Sequence, residues 1–388
     1  MTKAAEFFFK IIQSKVCGAP MPDANVADAP VLDVCNFAAR HAMTLPVLDY
    51  YLTGSERNAE LLSPEQKNKF SKSFDLGLYK SVLFDGDAEI IKNVFNSEKI
   101  DFIPLKGAVI KGFYPERWMR SSVDMDILVK KEDIKRALKA LETAGYSVLK
   151  EKGHHAILKS PSGWILELHH RLTDADTPGK AILDSAWEFA IPVSENEYRF
   201  TEDFFYFYHI FHMAHHIGNG GCGIRPFLDL WLINRQFNNI EKELVLESGL
   251  SEFAEKAEII SEKWFSEKPY DQSEPSSCLD VFEKFIIEGG SQGTDENAIL
   301  INRNLRKNRL MYFSRRIFLP AEELKKNYPG AKAHPALIPA YQVKRWIAAL
   351  RRDRKRFRKE LKYANGLSPE KIKEIGEMID SLNIRDFL

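Results

Sequence analysis

Cysteine is sparse in this 388-residue sequence and never paired at short range: Cys17, Cys35, Cys222 and Cys278 stand far apart, with no CxxC. That spacing argues against a disulfide framework and against a structural zinc site built on thiolates. Free thiols in a reducing compartment are the plain reading. An excess of one charge is missing as well, since 55 Lys and Arg balance 55 Asp and Glu, so the average composition points to no acidic or basic partner. Long apolar runs are absent. Phe7-Phe8-Phe9 is broken up by Glu6, Lys10 and Lys15, which is not the apolar region of a signal peptide. No later stretch reaches the length of a membrane span. Internal repeats and low-complexity segments are also lacking. The expectation is a soluble, cytoplasmic protein.

What is present is enough apolar material to fold. Hydrophobic residues make up 44% and aromatic residues 12%, and the length suits two or three domains. Residues 1–97 read as an N-terminal helical region. A helical run from 30 to 51 stops at Thr53-Gly54-Ser55, and Ser63-Pro64-Glu65 opens another that continues to 95 with a break at Asp85-Gly86. The texture changes at residue 98. Strands are predicted over 101–105, 123–129, 146–149, 155–159 and 164–172, with helices over 108–113 and 132–144 and a hairpin turn at Ser160-Pro161-Ser162-Gly163. Residues 98–195 therefore form an α+β core with a small mixed sheet. Residues 196–388 read as a C-terminal helical region, with helices over 204–217 and 227–237 and a polar loop over 266–277.

The chemistry concentrates in two of these strands. In Val123-Asp124-Met125-Asp126-Ile127-Leu128-Val129, strand alternation turns Asp124 and Asp126 to one face and Val123, Met125 and Ile127 to the other. Adjacent carboxylates repel, and in so apolar a strand they are costly unless a cation holds them. Magnesium or manganese favours such oxygen ligands. In Trp164-Ile165-Leu166-Glu167-Leu168-His169-His170, Glu167 shares a face with His169 and Arg171. If this strand lies beside the Asp strand, Asp124, Asp126 and Glu167 form a three-carboxylate metal cradle of the kind that promotes in-line phosphoryl displacement.

Leu105-Lys106-Gly107-Ala108, Tyr114-Pro115, Arg120, the Asp124 to Val129 run, Gly145-Tyr146 and Glu167-Leu168-His169 together resemble the uncharacterised nucleotidyltransferase family of the polymerase-beta-like nucleotidyltransferase superfamily. The resemblance extends into residues 212–229 and 328–345. It implies a small mixed-sheet core between helical regions, with Asp124, Asp126 and Glu167 as metal-binding catalytic carboxylates. It also implies Lys106 and Gly107 in a turn that approaches the triphosphate, where a missing Cβ lets backbone amides come close. The chain departs from the wider superfamily in having Ala108 where a small hydroxyl residue follows the glycine, and in a longer span from Gly107 to Asp124.

Arg120 suits bidentate contact with phosphate, or else pairs at the surface with Glu116 one helical turn away. His169, on the face of Glu167, is a candidate for orienting a ligand. His209, His212, His215 and His216 crowd one segment, but no Glu stands between His212 and His216 as in a zinc protease; these, with His154, His155 and His170, read as core or hydrogen-bonded histidines. Residues 344–362 hold ten basic against two acidic residues, with Trp346, Leu350, Phe357 and Leu361 near one helical face. That segment packs its apolar stripe or meets an anionic partner. The functional expectation is metal-dependent transfer of a nucleoside monophosphate from an NTP to a small molecule, RNA or protein. The second reading is a non-catalytic nucleotide-binding or scaffolding protein that kept the fold. A nucleotide-sugar transferase is disfavoured, because residues 1–97 lack the βαβ half it needs.

Overall fold

The computed structural model describes the chain apart from residues 23–28, 152, 175–176, 267–276, 292, 306–317, 322–323, 326–327, 329, 332–333 and 353–366. By contact, the described residues fall into two compact units, 1–214 with 223–275, and 215–222 with 276–388.

The first unit begins with helices α1 (Lys3–Val16), α2 (Val31–Arg40), α3 (Thr44–Thr53) and α4 (Glu56–Glu60). Phe7, Phe8 and Phe9 are all buried, and Phe9 packs on Trp264 with ring centroids 5.0 Å apart. The single helical run predicted over 30–51 is two helices, because the backbone turns through His41, Ala42 and Met43 with Ala42 at φ +57°. The next helix, α5 (Pro64–Ser97), starts where Ser63 and Gln66 cap each other reciprocally. It passes Asp85-Gly86 without the predicted break. An interior glycine costs a helix about 1 kcal/mol, whereas burying Phe84, Ile91 and Phe95 on the sheet gains more.

The sheet has the order β1-β2-β5-β4-β3, formed by β1 (Phe102–Pro104), β2 (Asp124–Val129), β3 (Ser147–Glu151), β4 (His155–Lys159) and β5 (Ile165–His169). The β2–β5 pair is parallel and the other neighbours are antiparallel. Helix α6 (Gly107–Ile110) follows β1, and α7 (Ile134–Thr143) links β2 to β3. Met125, Ile127, Val129, Ala156, Leu158, Leu166 and Leu168 face one side, packed with Phe84, Ile91 and Phe95 of α5 and Ala137 and Leu141 of α7. A slip of one residue in any of these strands would turn that apolar set outward, so the buried face locks the register. The alternate residues, Asp124, Asp126, Glu167, His155 and His169, are therefore committed to the opposite face.

Past the sheet come α8 (Lys180–Asp184) and a two-stranded hairpin of β6 (Ala190–Pro192) with β7 (Tyr198–Phe200). The sequence reading has no strands there, since three residues are too few to display alternation. Helices α9 (Glu202–Gly218), α10 (Arg225–Gln236), α11 (Glu243–Ser248) and α12 (Ser251–Phe265) follow. The second unit contains α13 (Ser277–Gly289), α14 (Asp295–Leu305), α15 (Ile338–Arg352) and α16 (Pro369–Ser381), with Phe282, Ile286, Leu300, Ile301, Ile375 and Ile379 buried. The basic segment 344–362 begins within α15, and its part from 353 onward lies outside the described residues, as does most of the predicted loop 266–277. Among the described residues no helix is long and apolar enough to cross a membrane.

Candidate active site

The polar face of β2 and β5 is where the predicted residues meet. The parallel register sets Asp126 opposite Glu167 and Leu128 opposite His169, and β4 adds His155 opposite His169. One oxygen or ring nitrogen from each of Asp126, Glu167 and His169 falls within 4.8 Å of the others. Asp126 is buried, Glu167 half-buried and Asp124 exposed at the start of β2.

The turn after β1 closes the site from another side. Leu105 N–H donates to the Asp126 carbonyl at 3.0 Å, so the next residue emerges directly beside Asp126. Lys106 takes φ +43°, a left-handed value that a long side chain adopts only when its surroundings enforce it. Its Nζ then stands 2.9 Å from Asp126 Oδ1. His169 Nε2 meets the same oxygen at 2.9 Å and lies 3.6 Å from Glu167 Oε2. Gly107 has no room for a side chain, because a Cβ would come within 2.5 Å of Arg120 Nη1 and 2.8 Å of Ser122 Oγ.

The electrostatics separate these groups. Burial by itself would raise the Asp126 carboxyl, but Lys106 and the His169 hydrogen bond outweigh it and hold it well below the usual carboxylate range. Asp126 in turn holds the Lys106 ammonium well above its usual value against the opposing effect of burial. Asp124 and Glu167 go the other way, raised first by burial and then by the charge of Asp126. Asp124 is open to solvent on its surface yet lies close enough to protein to feel that desolvation. Three carboxylates thus share one lysine and one imidazole, and two of the three remain repelled.

Arg120 sits behind the Lys106-Gly107 turn. It is buried, and its partner is neither solvent nor Glu116. Nε and Nη2 donate to the two carboxylate oxygens of Asp229 on α10, at 2.9 and 2.8 Å, and the Tyr114 hydroxyl donates to the same carboxylate at 2.8 Å. Nε and Nη2 of the guanidinium are thereby engaged by Asp229.

Some contributors were not read from the sequence. Tyr208 of α9 meets Lys106, and burial pushes its phenol up to about 12. Arg225, at the start of α10, donates from Nη1 to the Ser121 carbonyl at 2.8 Å and lowers Asp124 electrostatically. Neither has a local signal, since both reach the sheet from remote helices. His154 and His155 did have one. The turn pairing Ser160 N–H with the Trp164 carbonyl, counted back along the hairpin, puts His155 opposite His169. Of the histidines in α9, His209 accounts for itself through a 2.9 Å contact between Nε2 and the Pro226 carbonyl.

Residues 33–266 match the sequence pattern described as the uncharacterised nucleotidyltransferase family. That span takes in the whole five-stranded sheet and more than half of the chain, and it ends short of residues 328–345. No curated protein matches. Among solved structures, the solution structure of the antibiotic-resistance factor ANT(2'')-Ia is similar over 47% of this chain and 90% of that chain, at 12% identity and a TM-score of 0.27.

Proposed function

Because the chain belongs to the uncharacterised nucleotidyltransferase family, we propose that it moves a nucleoside monophosphate from an NTP to an acceptor, whether small molecule, RNA or protein, with a divalent cation, magnesium or manganese. The observation that supports this most is the parallel register that sets Asp126 beside Glu167, with Asp124 two residues away on the same face. The donors suit a hard cation. They are carboxylate oxygens, and burial, then the charge of Asp126, pushes Asp124 and Glu167 toward protonation, a penalty that a divalent charge relieves.

In this reading Asp124, Asp126 and Glu167 hold the ion within a core of residues 98–195, with the helical regions 1–97 and 196–388 before and after it in sequence. When bound, the cation would neutralise phosphate charge and make the acceptor oxygen a better nucleophile. The acceptor oxygen bonds to the α-phosphorus as the bond from that phosphorus to the bridging oxygen breaks, and pyrophosphate leaves. Lys106 keeps Asp126 ionised and presents positive charge on the same face. Gly107, with no Cβ to clash with Arg120 and Ser122, lets the turn pass close beside Asp126. His169 orients the Asp126 carboxylate, and Arg120, fastened to Asp229, holds the turn in place rather than contacting the nucleotide.

Thermal unfolding in the presence of each of the four NTPs, with and without magnesium or manganese, tests this. A rise in midpoint that needs both nucleotide and metal is expected, equivalent to about 2.7 kcal/mol when free ligand is at 100 times its Kd. Asp126→Asn should abolish that joint shift while leaving the far-ultraviolet dichroism unchanged. If no combination moves the midpoint of folded wild-type protein, the chain is instead a scaffold that kept the fold.

A further inference from the structure

Next to the carboxylates, three imidazoles converge. One ring nitrogen from each of His154, His155 and His169 lies within 4.8 Å of the others, and the ring centroids are 4.3, 5.2 and 5.8 Å apart. His155 and His169 are buried and His154 is half-buried. The nitrogens divide into an inner and an outer set. On the outside, each ring faces a carboxylate: His154 Nδ1 meets Asp174 Oδ2 at 2.7 Å, His169 Nε2 meets Asp126 Oδ1 at 2.9 Å, and His155 Nε2 lies 3.9 Å from Glu167 Oε2. On the inside, His155 Nδ1 and His154 Nε2 are 2.9 Å apart, and His169 Nδ1 is buried with no hydrogen-bond partner among the described residues.

A carboxylate draws the N–H of a neutral imidazole to its own side, which leaves a lone pair on the other nitrogen. Asp174 turns His154 that way and Asp126 turns His169, while one proton is shared across the His155 Nδ1–His154 Nε2 contact, so the inner nitrogen left without a partner among the described residues is His169 Nδ1. A buried nitrogen without a partner costs about 1–3 kcal/mol. A cation that accepts imidazole nitrogen supplies His169 Nδ1 with a partner and takes the place of the proton between His154 and His155. Histidine backed by carboxylate is also the arrangement that sets ring orientation and tautomer in metal sites.

We propose that His154, His155 and His169 are the ligands of a second metal site, separate from the carboxylate cradle, which takes a zinc-class ion and leaves a fourth coordination position for water or a substrate oxygen. Three imidazoles select zinc, copper, nickel or cobalt over magnesium, which prefers oxygen. The carboxylate cradle selects the reverse, so the two neighbouring sites differ by donor chemistry. His169 links them, with Nε2 on Asp126 and Nδ1 toward the other histidines.

The test uses the full chain stripped of metal, without magnesium or nucleotide. Zinc is titrated against a chromogenic chelator, and cobalt is added separately to read visible absorption. One equivalent of zinc and a cobalt spectrum of low-symmetry four- or five-coordinate type are expected from wild-type protein. His154→Ala should weaken zinc binding by about 100-fold or more, and Asp174→Asn, at an exposed backing carboxylate, by about 10–100-fold. Asp124→Asn should leave zinc affinity within about twofold of wild type. Absence of a one-equivalent zinc site in folded wild-type protein overturns the proposal. So does zinc binding that survives His154→Ala and is lost in Asp124→Asn, since the ion would then belong to the carboxylates. The cobalt spectrum is read on wild-type protein, so a variant that fails to fold leaves the proposal open to refutation.

Discussion

Replacing Gly107 by Ala tests how rigidly the turn beside Asp126 is held. The added methyl group would stand 2.5 Å from Arg120 Nη1 and 2.8 Å from Ser122 Oγ. A guanidinium at the end of a free side chain would simply swing aside. This one is tied through Nε and Nη2 to Asp229 and buried, so it can retreat only by lengthening two charge-assisted hydrogen bonds or by displacing the turn. Forcing a methyl group into a filled site of this kind costs about 1–3 kcal/mol. Helix propensity works in the opposite direction, because Ala at a helical position is better than Gly by up to about 1 kcal/mol. The net expectation is a loss of about 1–2 kcal/mol. Gly86 in the interior of α5 is the internal control. A Cβ there meets nothing within 4 Å, so Gly86→Ala keeps the propensity gain and should stabilise by up to about 1 kcal/mol. Thermal and urea unfolding midpoints of both variants against wild type decide the matter. If Gly107→Ala raises the midpoint as Gly86→Ala does, the turn has slack and the close approach of Arg120 does not require glycine.

Asp229→Ala leaves the Arg120 guanidinium buried without its counter-charge and strips the Tyr114 hydroxyl of its acceptor, so a loss of about 3–5 kcal/mol is expected in urea unfolding; a change under about 1 kcal/mol would refute the pairing as described. Asp126 has its carboxyl lowered in the folded chain. Its contribution is therefore present above the ordinary carboxylate range and drains away as pH falls through about 4 toward the lower folded value. Asp126→Asn should flatten that acid limb when stability is followed against pH, and an unchanged limb would argue against the Lys106 and His169 contacts. Glu167 has its carboxyl raised, so the sign reverses: its contribution is present below the ordinary carboxylate range and is lost as pH rises through the folded value. Glu167→Gln should leave metal-free protein at neutral pH at least as stable as wild type while weakening the metal-dependent nucleotide shift. Clear destabilisation of the metal-free variant would contradict the repulsion assigned to this face.

The legible parts of this protein are those whose signal is local. Alternation over 123–129 and 164–172 marks both carboxylate strands and the face each carboxylate takes, because a strand repeats every two residues whatever it later pairs with. Ser63 and Gln66 likewise announce the start of α5, since both halves of the cap lie within one turn. The helix break predicted at Asp85-Gly86 fails for the opposite reason: glycine is a weak local penalty, and the sheet onto which Phe84 and Ile91 pack overrides it. The partner of Arg120 is hidden for a related reason, since Asp229 stands 109 residues away and no periodicity spans that distance.

Sequence alone was sufficient for the α+β class, the polar face of two strands and the residues on it, because backbone geometry turns residue spacing directly into direction. Folding in three dimensions had to decide the rest: that β5 returns beside β2 across an intervening helix and hairpin, that Lys106 and His169 both close on Asp126, and that three histidines gather with their outer nitrogens toward carboxylates. Those outcomes depend on which apolar faces bury against each other. That is a property of the whole packed unit and is written in no short stretch of it.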